Sequence, residues 1–96
     1  MIYKGMAVII RNEDELECFA QAAEKKGYKF SMSKIRSVRV PVRISVNVRS
    51  GDDCLSKTHN LRYELNNGIT EVVEASVLFR NQLIAMKHNA RKASQI

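Results

Sequence analysis

Ninety-six residues and a mass of 10.9 kDa leave room for one domain, spanning 1–96. Hydrophobic residues at 45% and charged residues at 27% lie near globular averages, which argues against a disordered chain, a collagen repeat or a disulfide scaffold. No apolar run approaches the ~20 residues needed to span a bilayer, so no membrane is expected as a partner. The net charge of +6 is unevenly placed. Five bases and five acids cancel over 1–30, whereas Lys34, Arg36, Arg39, Arg43 and Arg49 face no acid at all over 31–50. A weaker basic cluster follows at the C-terminus.

Ala7–Arg11 is a short apolar run with β-branched residues, the pattern of a buried strand. Asn12 then offers a helix N-cap, and Glu15 three residues on completes a capping box. Leu16, Phe19, Ala20 and Ala23 form one apolar stripe, Glu13 to Glu15 suit the positive end of the helix dipole, and Gly27 is a natural stop. A helix over about 13–26 follows.

Tyr28, Phe30 and Met32 alternate with polar residues as a short strand. Val38, Val40, Val42, Ile44, Val46 and Val48 share one parity, and Arg39, Arg43, Ser45, Asn47 and Arg49 share the other. A helix would scatter six apolar residues at period two around its axis, so this is strand. Pro41 removes a ladder donor and marks an edge position, a bulge or a break between two short strands. His59, Leu61, Tyr63 and Leu65 suggest a returning antiparallel strand, with Asn66–Gly68 as a turn. Residues 69–75 fit either a fourth strand or the start of a long helix. The assignment adopted is strand 69–74 and helix 76–92, whose stripe is Phe79, Leu83, Met86 and Ala90.

The expected fold is therefore α+β: a small antiparallel sheet of three to four strands with two helices packed on one face. With the valines turned to the helices, Arg39, Arg43 and Arg49 would line an open face, helped by Arg36 and Lys34.

Catalytic and cofactor signatures are weak. Asp53, Cys54 and His59 lie close in sequence, but a packed thiol explains Cys54 better than a nucleophile does. Two cysteines and two histidines without paired spacing make no zinc pattern, and no GxxxxGK[ST], GxGxxG, GxSxG or HExxH occurs. A non-enzymatic protein without metal or cofactor is expected. Arginines suit protein interfaces as well as phosphates, while the absence of interleaved aromatics speaks against a sheet that stacks RNA bases. Val77, Leu78 and Ile84 lie outside the main stripe of the C-terminal helix, which makes that helix a candidate homodimer seam.

The segment from Val8-Ile-Ile-Arg-Asn-Glu-Asp-Glu through Gly27-Tyr28-Lys29-Phe30 resembles the strand–helix–strand opening of small phage and prophage accessory proteins. Ile69-Thr-Glu-Val-Val-Glu-Ala-Ser-Val-Leu-Phe is similar to their closing segment, and the valine-arginine strand between the two blocks departs from the pattern. The resemblance implies a protein of a mobile element acting in the cytoplasm of a bacterial host. Such proteins are often stoichiometric inhibitors of host machinery, anti-CRISPR proteins among them. The expected partner is thus a host protein or protein–nucleic-acid complex, met through Arg36, Arg39, Arg43 and Arg49. The alternative is direct nucleic-acid binding by the same arginines.

Overall fold

Five apolar residues, Met6–Ile10, form β1 in the interior of the sheet; the computed structural model describes residues 1–30 and 34–94, with side chains as far as Asn89. The sheet order is β3-β2-β1-β4, with β2 at Val42–Val46, β3 at Leu55–Lys57 and β4 at Glu71–Glu74. β1 pairs antiparallel with β2 (Val8 opposite Ile44) and parallel with β4 (Val8 opposite Val73). A strand with neighbours on both sides, buried at four of its five positions, needs a continuous apolar run, which is what β1 has.

The first helix, α1 (Glu13–Lys26), forms as its local chemistry dictates. Asn12 Oδ1 accepts from the Glu15 N–H at 3.0 Å, while the Glu15 carboxylate accepts from the Arg11 N–H and from Asn12 Nδ2, each at 3.0 Å. Gly27 closes the helix at φ 75°, and the Tyr28 N–H reaches back to the Ala23 carbonyl at 2.9 Å. Leu16, Phe19 and Ala23 join Met6, Val8, Ile10, Ile44, Val46 and Leu55 in one core. Fully burying a side chain such as Phe19 or Leu16 contributes about 1.5–3 kcal/mol.

Beyond α1 the chain departs from the sequence reading in several places. Tyr28–Phe30 contributes only a single parallel bridge, Phe30 to Leu55, along the outer edge of β3; Met32 lies outside the described residues. The valine-arginine strand contracts to Val42–Val46. Val38 is buried but outside the ladder, its N–H on the Ile35 carbonyl, and the strand begins immediately after Pro41, whose bond to Val40 is cis. A 3-10 turn occupies Ile35–Ser37.

The expected strand at 59–65 is instead a helix, α2 (Leu61–Asn66). Asn60 Oδ1 accepts from the Tyr63 N–H at 2.9 Å, so it caps this helix as Asn12 caps α1. The antiparallel return beside β2 is made earlier, by β3, and β4 enters beside β1 in parallel, so the sheet is mixed rather than antiparallel. β4 passes directly into α3 (Ala75–Leu78), and α4 (Arg80–Ser94) follows after Phe79 leaves helical geometry. Residues 69–74 are thus largely strand, and the expected C-terminal helix is two helices.

Turns place α2. Gly68, at φ 75°, lies so close to β2's continuation that an added Cβ would sit 2.8 Å from Val48 Cγ2. Gly27 shares the left-handed conformation but has open space around it. Gly27→Ala should therefore cost only the conformational penalty of about 1–2 kcal/mol. Gly68→Ala should cost about 1–3 kcal/mol more through the clash with Val48, read from urea unfolding midpoints. Equal losses would mean that Val48 yields without cost.

Candidate partner-binding site

The four arginines singled out in the sequence do not share one face. Alternation along β2 puts Val42, Ile44 and Val46 on the α1 side and Arg43, Ser45 and Asn47 on the other. That second face is not open, because α2 lies against it. Arg43 donates through Nε and a terminal nitrogen to both oxygens of Glu64, at 2.6 and 2.5 Å. Glu64 is only 2% exposed, and the Arg43 side chain 38%.

Beside this pair runs a chain of neutral hydrogen bonds. The Tyr63 hydroxyl and Asn47 Nδ2 both reach Ser56 Oγ, at 2.8 and 2.6 Å, and Ser45 Oγ donates to Asn47 Oδ1 at 2.7 Å. Among the described residues, no buried side-chain nitrogen or oxygen lacks a partner. The arginine face expected to be open is therefore partly covered: a third helix meets Arg43 and leaves its side chain half-buried.

Arg36 is engaged on the other side of the molecule. Its guanidinium meets Glu17 at 2.7 and 3.1 Å and also pairs with Glu24, tying the 3-10 turn to two positions on one face of α1, about two turns apart. The Arg36 guanidinium holds the Glu17 carboxyl below its ordinary value, and Glu17 and Glu24 raise the guanidinium. Arg11 does the same for Glu74 across the β1–β4 boundary, through contacts of 3.0 and 2.6 Å.

Arg39 and Arg49 are left. Both are exposed, neither has an ion pair among the described residues, and they flank opposite ends of β2, a strand of about 16 Å. The chain therefore presents two separated cations where the sequence suggested one row.

The sequence-adjacent Cys54 and His59 do not form a dyad. Cys54 is buried, and that burial pushes its thiol above the ordinary value, while exposed His59 packs edge-on against Tyr63 with centroids 5.2 Å apart. A thiol held protonated in an apolar setting is a poor nucleophile. A cleft of about 330 Å³ between the end of α1 and the 3-10 turn is lined by Glu24, Tyr28, Lys29, Phe30, Lys34 and Arg36 among the described residues.

One exposed apolar surface has no counterpart in the sequence pattern. Leu61 and Leu65 project from α2 and Val72 from β4, all exposed. The weaker basic cluster expected at the C-terminus falls on α4, which presents Arg80, Lys87 and His88 to solvent. No family model matches the chain, and no curated protein or solved structure matches it.

Two outcomes follow from the ion pairs. Arg43→Met strands the Glu64 carboxylate under α2 and should cost about 3 kcal/mol, whereas Arg43→Met with Glu64→Leu should return to within about 1 kcal/mol of the parent in urea unfolding. Because Arg36 depresses Glu17, the stability from that pair is present above the ordinary value of 4.5 and fades as pH falls through the lowered one. Arg36→Gln should therefore destabilise at neutral pH and weaken the acid dependence of the unfolding midpoint; an unchanged acid limb would show that the pair contributes nothing.

Proposed function

We propose that this chain is a non-enzymatic binding protein of phage or prophage origin, a stoichiometric inhibitor of a host defence or nucleic-acid-handling complex. The origin rests on the similarity of the Val8–Phe30 and Ile69–Phe79 segments to small phage accessory proteins. The mode of action rests on one observation: Arg39 and Arg49 stand exposed with no ion pair among the described residues, while Arg36 and Arg43 are already met by their carboxylates. A guanidinium forks onto a carboxylate or phosphate without prior release from another partner only when it is free.

Arg39 and Arg49 are accordingly the primary contacts, with acidic side chains of a host protein as their ligands. Arg36 and Arg43 enter only as a conformational reserve that would have to exchange Glu17, Glu24 or Glu64 for an external anion. No cofactor or metal takes part in this mode of action.

Capture from nuclease-treated bacterial lysate onto the immobilised protein, read by mass spectrometry, tests the reading. A defined complex should be retained by the parent and by Arg36→Gln, and lost by Arg39→Glu with Arg49→Glu. Capture that disappears with nuclease would replace the protein partner with nucleic acid. Retention by the double variant would remove both arginines from the interface.

A further inference from the structure

The last acid in the sequence is Glu74; after it come Arg80, Lys87, Arg91 and Lys92, all within α4. At fifteen residues this helix is about 22 Å long, and the molecule measures 50 × 22 × 20 Å. α4 leans on α1 through Leu83 and Met86, whose sulfur lies 3.5 Å from Cys18 Sγ. That leaves most of its circumference uncovered. Arg80, Ile84 and Lys87 follow one another at i, i+4 and i+7, and Arg91 continues the register at i+11. Asn81, Ala85 and His88 occupy the adjoining row, and all six of these residues up to His88 are exposed.

The acids nearest this surface form no ion pair with it among the described residues. Asp14 and Glu15 line a shallow cleft with Arg80 and Lys87. Glu15, however, is bound to the Arg11 N–H and to Asn12, and among the described residues no ion pair joins α1 to α4.

We propose that α4 docks in the major groove of duplex DNA, with Arg80 and Lys87 on backbone phosphates and Asn81, Ile84 and Ala85 toward the groove floor. A helix with its side chains is about 10–12 Å across, and the B-DNA major groove is about 12 Å wide. Small or apolar residues flanked by cations suit that groove, where thymine methyls lie on the floor and phosphates on the walls. A bilayer would require a continuous apolar face, and the apolar row of α4 is already packed on α1. The deep, narrow major groove of A-form RNA does not admit a helix. This inference goes beyond the inhibitor reading and uses neither Arg39 nor Arg49.

The test is fluorescence anisotropy with a labelled DNA duplex of about 20 base pairs across about 50–200 mM salt, with the RNA duplex of the same sequence alongside. The parent should bind DNA, and bind RNA more weakly. Arg80→Glu with Lys87→Glu should lower DNA affinity by at least about tenfold and flatten the log–log salt slope by about 2. Arg39→Glu with Arg49→Glu makes the same change in net charge and should shift affinity by no more than about threefold. Helicity and unfolding midpoints check each variant, and Arg80→Gln with Lys87→Gln replaces the reversal if it disturbs folding. Absence of DNA binding at low salt, equal loss from both charge-reversed pairs, or RNA binding as tight as DNA would each overturn the proposal. Those results leave the lysate capture through Arg39 and Arg49 intact, so the two readings fail separately.

Discussion

A carboxylate almost wholly removed from water must find its donors inside the fold, and Glu64 finds them in the guanidinium of Arg43. Much of the second half of the chain is arranged around that contact. It holds α2 on the sheet face opposite α1, where Tyr63, Ser56, Asn47 and Ser45 complete a polar layer with its hydrogen bonds made internally. The Glu64 carbonyl accepts from the Ile69 N–H at 2.9 Å, and Gly68 lets the backbone turn against Val48 on the way. The chain so directed brings Thr70 and Glu71 onto the Gly5 carbonyl and starts β4 alongside β1.

The two sheet faces are consequently built on different physics. The face toward α1 is a close-packed apolar core in which Phe19 and Phe79 are the largest buried side chains. The face toward α2 is a hydrogen-bonded layer whose value depends on completeness, since each polar group withdrawn from water needs its partner. A six-residue helix is too short to persist by propensity, so α2 depends on its cap at Asn60 and on the sheet beneath it.

The same arrangement sorts formal charge from available charge. A stretch of five bases without acids reads as a binding surface, yet two of its arginines are paired with Glu17, Glu24 and Glu64 from other parts of the chain, Arg36 at the surface and Arg43 half-buried. Arg39 and Arg49, and Arg80 and Lys87 on α4, keep their charge at the surface. Functional readings based on the net charge of +6 must start from those residues, because a fork already on a carboxylate has to give up that contact before it can meet another anion.

What the sequence determined by itself is the part governed by near neighbours. Asn12, Glu15 and Gly27 cap α1 through contacts within four residues, and the valine parity chose which side of β2 faces the core. The α+β class followed from those patterns. The same local cues were present at α2, in Asn60 and Gly68, but Leu61, Tyr63 and Leu65 also alternate as a strand does, and so short a segment satisfies both periods. Only the tertiary structure decided between them, because the deciding contact joins Glu64 to a residue twenty-one positions earlier. It decided the fate of the arginines for the same reason: local pattern sets which way a side chain points, and long-range packing sets which charge it meets there.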